Sequence, residues 1–201
     1  MRFHSALFVI VAAVTVVFAG CHSNSVDTSA FQSALNNYYS GRQDCLWSQP
    51  IKFPVQVDPS DQNRTQQFDA LTDIGLLTRT PAEKQRFLIG SKRVNNYDIS
   101  KKGRTDWTAD PAQPGYGNFC VGSPRVKSVV GYTPANDSSA TQYMVTYRYA
   151  VSLPDWANFE IQTAFPRVAS DSQGQEATAK LVKSQDGWQV QNVSAPSQSG
   201  D

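Results

Sequence analysis

The arrangement of apolar and polar residues changes twice along the 201-residue chain. Residues 6–18 form an apolar run that only Thr15 interrupts. Between residues 30 and 75, apolar residues recur every three or four positions, as on one face of a helix. From residue 119 onward, apolar and polar residues alternate, as in a strand with one buried face. The pattern therefore predicts a leading apolar segment, a helical half and a strand half.

Two helices are predicted in the first half of the chain. The first covers residues 30–40, where apolar residues such as Phe31 share a face, and it ends at Gly41. The second has Asp58 as a candidate N-cap and ends at Gly75. Each helix is expected to bury its apolar face against the rest of the fold.

Strands are predicted mainly in the second half, beyond a Pro- and Gly-rich loop at residues 105–118. The alternating stretches cover residues 51–57, 93–100, 126–132, 143–153, 159–165, 180–182 and 188–190. A turn at Gln185-Asp186-Gly187 joins the last two stretches as a hairpin. The expected fold is α+β: a helical half at residues 30–110 packs with an antiparallel β-sheet at residues 111–196. Residues 197–201 are expected to form a disordered tail.

Part of the helical half resembles the helix-to-wing segment of winged-helix proteins. The residues that carry the resemblance lie within residues 65–103 and are Leu71, Gly75-Leu76-Leu77, Arg79, Tyr97, Ile99-Ser100 and Gly103. In that family, the helix leads into a two-stranded wing, which residues of these types pack and turn. The resemblance covers about a fifth of the chain and implies that the first half is winged-helix-like in shape. Shape alone is weak evidence for function.

The leading apolar segment, residues 1–20, is predicted to be a signal peptide. Arg2 precedes the apolar run, and the small residues Ala19 and Gly20 directly precede Cys21. This end resembles the lipobox of bacterial lipoproteins, in which the cysteine thiol is diacylated and the peptide is cut before the cysteine. The resemblance implies that Cys21 anchors the protein to a membrane, since two or more acyl chains hold stably. The alternative is an ordinary secretory signal peptide followed by an unmodified cysteine.

Residues 21–29 are predicted to form a flexible, lipidated tether, because their polar composition cannot form a core. His22 follows the anchor in place of the Asp that is associated with inner-membrane retention in lipoproteins of this kind. The resemblance therefore implies the cell envelope, at the outer membrane facing the periplasm where the host has two membranes.

Cysteine usage predicts one disulfide. With Cys21 committed to lipid, only Cys45 and Cys120 remain, and an exported protein lies outside the reducing cytosol. A bridge that closes a loop of this length contributes about 4 kcal/mol in the chain-entropy model.

Charge argues against a nucleic-acid partner. Removal of residues 1–20 takes away Arg2, so 17 of the 18 basic residues remain against 17 acidic residues. Nucleic-acid binders carry a basic excess, because they neutralise phosphates. A winged-helix nucleic-acid binder is therefore the third and least favoured function.

Histidine content argues against several enzyme classes. His22 is the one histidine left after removal of the signal peptide, and a flexible tether cannot hold a catalytic or zinc geometry. No catalytic residue, metal site or cofactor is therefore predicted. Paired carboxylates leave one alternative, an envelope glycan hydrolase. The candidate carboxylates are Asp106, Asp110, Asp155 and Glu160.

Aromatic residues in the loop at residues 105–118 are the predicted binding residues. Trp107 and Tyr116 are the candidates, because exposed rings in a turn-rich loop can stack on a sugar or on an apolar patch. The favoured function is thus a lipid-anchored, non-enzymatic binding or interaction module of the bacterial cell envelope. Its expected partners are the membrane, through Cys21, and an envelope protein or glycan.

Overall fold

Strands are the main element of this fold. The structure, a computed structural model, describes residues 26–85, 90–135 and 137–194. Of these residues, 45% lie in strands and 26% in helices. The helices are α1 (Thr28–Tyr39), α2 (Gln62–Asp73), α3 (Gly103–Asp106), α4 (Phe159–Ala164) and α5 (Pro166–Gln173). The strands are β1 (Asp44–Cys45), β2 (Ile51–Lys52), β3 (Val55–Val57), β4 (Leu77–Gln85), β5 (Ser91–Ile99), β6 (Trp107–Ala109), β7 (Tyr116–Gly122), β8 (Pro124–Thr133), β9 (Gln142–Val151), β10 (Gln175–Ser184) and β11 (Gly187–Ser194).

The C-terminal sheet is antiparallel with the strand order β11-β10-β9-β8. Alternate residues of β9 point to one face, and the helix α1 covers that face. Asp27 caps α1, because its side chain accepts a hydrogen bond from the backbone N–H of Ser29 at 2.9 Å. The resulting C-terminal sheet core contains Phe31, Leu35, Tyr143, Val145, Tyr147, Ala179 and Leu181. The first helix among the described residues thus packs on the C-terminal sheet.

Two smaller antiparallel sheets lie in the middle of the chain. One has the order β3-β5-β4, and in the other β7 pairs with β1, β2 and β6. They pack with α2, α4 and α5 around a second cluster, the central core. Its members include Phe68, Leu71, Leu76, Tyr97, Phe119, Ile161, Phe165 and Val168. The helices α4 and α5 therefore pack against elements from the first half of the chain.

The helical N-terminal half predicted from the sequence is wrong. Within residues 30–110, α2 does lead into a two-stranded hairpin, β4 with β5, but six strands lie in this range. Thr80 and Pro81 lie within β4, so the chain continues as a strand there. The other long helix, α1, packs on the C-terminal sheet instead of on α2. The fold is therefore mostly β, and a winged-helix-like half does not describe it.

Two further local predictions are wrong. Residues 159–165 were predicted as a strand, but Phe159–Ala164 form α4, because the Asn158 side chain accepts hydrogen bonds from the backbone N–H groups of Glu160 and Ile161. The segment at residues 105–118, predicted as a loop, instead contains the end of α3 and a hairpin in which β6 pairs with β7. By contrast, the hairpin of β10 and β11 around Gly187 is confirmed.

The signal-peptide and anchor predictions fall outside the described residues, which begin at Val26. No described helix has the combined length and apolar composition that crossing a bilayer would require.

Candidate functional site

A cleft of about 420 Å³ lies on the outer face of the sheet formed by β1, β2, β6 and β7. Phe119 on β7 points into the central core, so its neighbours Asn118 and Cys120 point to the opposite face. We call this space the disulfide cleft. Its lining includes Cys45, Trp47, Ala109, Asn118, Cys120 and Arg167.

The predicted disulfide between Cys45 and Cys120 is confirmed. The two residues are direct partners in the register of β1 with β7, and their Cα atoms are 3.8 Å apart. The sulfur atoms are bonded at 2.02 Å and line the disulfide cleft. The bridge thus fixes a two-residue strand that has little hydrogen bonding of its own.

The side chain of Asn118 closes a gap in the same sheet. The segment between β1 and β2 forms no strand with β7. At Trp47 in this segment, the Asn118 side chain binds the backbone in place of a strand partner. Its Oδ1 accepts from the Trp47 backbone N–H at 3.2 Å, and its Nδ2 donates to the Trp47 carbonyl at 2.7 Å. Asn118 is only 8% exposed, so losing these bonds would leave buried polar groups without partners.

An arginine between two carboxylates forms one end of the disulfide cleft. The Arg167 guanidinium donates to the carboxylates of Asp44 and Asp171, the latter at 3.1 Å, and to the Cys45 carbonyl. Arg167 and Asp171 are one turn apart on α5, whereas Asp44 lies on β1. This cluster therefore joins α5 to the strand that carries the disulfide.

Burial first and the nearby charge of Asp44 second raise the pKa of Asp171 to about 6, even though Arg167 acts to lower it. Asp171 also faces Tyr149 on β9, whose pKa is raised to about 12 mainly by burial and then by the charge of Asp171. Because β9 belongs to the C-terminal sheet, this carboxyl group lies where the two cores meet.

Trp107, a predicted binding residue, packs mainly inward. Its ring centroid lies 5.3 Å from that of Phe53 and 5.1 Å from that of Phe119. Gly117 makes room for it, since a Cβ atom there would lie 2.5 Å from Trp107 Cε2. Trp107 is therefore a half-buried part of the central core.

Tyr116, the other predicted binding residue, is at the start of β7 and is half-buried. The Nζ atom of Lys52 lies 5.8 Å from its ring centroid. Tyr116 and Phe119 are an odd number of positions apart on β7, so Tyr116 points away from the core face where Trp107 packs. The structure does not combine the two rings in one surface.

The carboxylates predicted for glycan hydrolysis are used locally or lie elsewhere. Asp110 accepts from the Ala112 N–H at 2.8 Å within the turn between β6 and β7, and it is the one of the four that lines the disulfide cleft. Asp106 lies in α3 and Glu160 in α4, while Asp155 is exposed in the turn before α4. Within the described residues, no group of His, Cys, Asp and Glu could hold a metal ion.

The cluster of Asp44, Arg167 and Asp171 was not predicted from the sequence. The i,i+4 spacing of Arg167 and Asp171 would have indicated an ion pair on a helix. That signal was hidden because the preceding residues were predicted as a strand and no element was predicted at α5. Asp44 is 123 residues from Arg167 in the chain, and no local pattern joins them.

Comparison of the chain with protein-family models, with curated proteins and with solved structures gives no match.

Proposed function

We propose that this chain is a lipid-anchored, non-enzymatic binding module of the bacterial cell envelope. The observation that carries the proposal is Cys21, which directly follows Ala19-Gly20 and precedes the Asp27 cap of α1 by six positions. At roughly 3.5 Å per residue, a lipid on Cys21 would hold the fold within about 20 Å of the membrane.

The packing of α1 supports one orientation of the anchored molecule. Phe31, in the first turn of α1, has its ring 5.8 Å from Tyr132, 5.0 Å from Tyr143 and 5.2 Å from Trp188. These three residues lie at the end of the C-terminal sheet where β8 turns into β9 and β10 into β11. With Cys21 lipidated, this end faces the membrane and the central core points away from it.

The disulfide cleft supports binding as the function of the part of the molecule that would lie away from the membrane. Three of its polar side chains already have partners in the protein: Asn118 binds the Trp47 backbone, Asp110 binds its own turn, and Arg167 binds two carboxylates. A ligand would therefore meet a rigid, mainly apolar surface with few available charges, which suits recognition by shape. The proposed partner is an envelope protein or a glycan.

Fractionation of cells that express the full chain tests the anchor. We expect the wild type to take up labelled fatty acid and to sediment with membranes, and with the outer membrane where there are two. Cys21→Ser should lose both properties, while the neighbouring Ser23→Ala should keep them. Unchanged labelling of Cys21→Ser, or a wild type found in the soluble fraction, would overturn the proposal.

A glycan hydrolase remains a second candidate because of one observation. Asp44 and Asp171 share the Arg167 guanidinium, and a carboxyl group with a pKa of about 6 suits a general acid. Purified cell wall incubated with the protein tests this function. Release of soluble fragments that Asp171→Asn abolishes would favour the hydrolase over the binding module.

A further inference from the structure

A second concave surface lies between α2 and α4, on the central core. This α2–α4 groove has a volume of about 420 Å³ and is separate from the disulfide cleft. Its apolar floor includes Ala70 of α2 and Ala164 of α4, both of which are buried. Its rim carries Asp73 of α2 together with Phe159 and Glu160 of α4.

Phe159 is the most unusual residue of this groove, because its side chain is 84% exposed. Its neighbour Ile161 is fully buried in the central core, so α4 is held firmly and presents Phe159 to solvent. Other large apolar residues with high exposure, Val130 at 52% and Met144 at 44%, are less exposed than Phe159. An aromatic ring at the rim of an apolar groove is typical of a contact surface.

The charge of the rim is negative. Asp73 lies in the last turn of α2, where the helix dipole disfavours an anion and where the helix has no basic residue of its own. The Lys102 ammonium reaches this helix end and donates to the Ile74 carbonyl at 2.7 Å. Asp73 and Glu160 make no ion pair within residues 26–85, 90–135 and 137–194, so a partner cation beside them would supply one.

A third carboxylate of the groove, Asp69, is occupied inside the protein. It accepts from Arg79 Nη1 at 2.7 Å and from the Tyr97 hydroxyl at 2.6 Å. Burial, together with the bond to Asp69, raises the pKa of Tyr97 to about 12, so the hydroxyl remains a donor. The charges offered to a partner are therefore those of Asp73 and Glu160.

We propose that the α2–α4 groove docks a cationic, apolar segment of a partner protein. An apolar side chain of the segment packs on Ala70, Ala164 and Phe159, and a lysine or arginine beside it pairs with Asp73 and Glu160. The two contacts are complementary, because rim charges steer and align a segment whose apolar groups supply the buried area. The proposal does not depend on lipidation of Cys21.

Binding of a short labelled peptide of alternating lysine and leucine tests the proposal. The full chain is held in nonionic micelles, and binding is followed by fluorescence anisotropy against the same micelles without protein. The peptide should bind the wild type, and the matched peptide of glutamate and leucine should not. Asp73→Lys and Phe159→Ala should each weaken binding about tenfold or more, because each removes one of the two contacts.

Matched variants separate this site from general effects of charge and exposure. Asp186→Lys makes the same charge change at an exposed turn, and Val130→Ala removes an exposed apolar side chain on β8. Both should bind the peptide like the wild type. Unchanged thermal midpoints would show that the groove variants are folded.

Equal binding of the peptide to the groove variants and the wild type would overturn the proposal. Binding of the wild type no stronger than micelle background would do so as well. If sedimentation shows self-association that Asp73→Lys abolishes, the occupant is a second copy of this chain, and the partner segment proposed here is wrong.

Discussion

The Asn36 side chain on α1 accepts a hydrogen bond from the backbone N–H of Val126 on β8 at 2.9 Å, across 90 positions of the chain. Gln32, one turn earlier, donates to the Val126 carbonyl at 3.0 Å. Both backbone groups lie on a strand at the edge of the C-terminal sheet. The helix α1 thus satisfies backbone groups at the edge of the C-terminal sheet and is held to it by these bonds.

The first prediction concerns this contact between the helix and the sheet. Leu35→Ala removes a fully buried side chain from the C-terminal sheet core and should lower the free energy of unfolding by about 2–5 kcal/mol. Ser33→Ala, on the exposed side of α1, should change it by less than about 0.5 kcal/mol. Urea unfolding measures both values. A Leu35→Ala variant as stable as the wild type would show that α1 is not part of the core.

The second prediction concerns the disulfide. Thiol labelling of the unfolded, unreduced protein should find Cys45 and Cys120 blocked, because they are bonded in the structure. Reduction should lower the free energy of unfolding by about 2–5 kcal/mol, as is typical of exported domains. Reactive thiols at Cys45 and Cys120, or equal stability with and without reductant, would be inconsistent with this structure.

The third prediction concerns pH and Asp171. The pKa of this group is raised from 3.8 to about 6 by burial first and by Asp44 second. Between these values the folded protein binds more protons than the unfolded chain, so the contribution of Asp171 to stability falls as pH rises. Above about pH 6 the ionised Asp171 therefore costs stability, and below about pH 4 the cost is gone.

Asp171→Asn removes this titration. The variant should lose stability relative to the wild type as pH is lowered from about 6 to about 4, by at most about 1.4 kcal/mol per pH unit. Urea unfolding at several pH values measures the difference. Asp186→Asn, at an exposed turn, serves as the control and should follow the wild type. A difference that does not change with pH would contradict the assigned environment of Asp171.

The fourth prediction separates the two aromatic residues proposed from the sequence for binding. Trp107→Ala should lower the free energy of unfolding by up to about 3 kcal/mol, since the ring packs on Phe53 and Phe119 but is only half-buried. Tyr116→Ala should cost clearly less, because Tyr116 points away from the core face. Thermal unfolding compares the two variants. Equal losses of stability would place both rings in the core.

The strands that could be predicted from the sequence are those with one buried face and one exposed face. In β9, Tyr143, Val145 and Tyr147 are buried under α1 and the residues between them face solvent, so the period of two is visible in the sequence. The same period at residues 159–165 was misleading, because those residues form a short helix whose Phe159 is exposed. In β4, a mostly exposed strand, there is no apolar period to detect.

The candidate sites could be predicted only in part. Cys45 and Cys120 were paired by elimination, which needs no knowledge of the fold. The cluster of Asp44 with Arg167, and the α2–α4 groove, each combine residues from distant parts of the chain. Their chemistry follows from tertiary packing, which a single sequence does not display.

The mass of the N-terminal tryptic peptide from membrane-extracted protein tests the proposed anchor most directly. Cleavage after Arg42 leaves a peptide of residues 21–42, because no Lys or Arg lies between Cys21 and Arg42. We predict that this peptide starts at Cys21 and carries a diacylglyceryl group on the thiol and an acyl chain on the amine. A peptide that starts at another residue, or an unmodified Cys21, would contradict a lipid-anchored binding module.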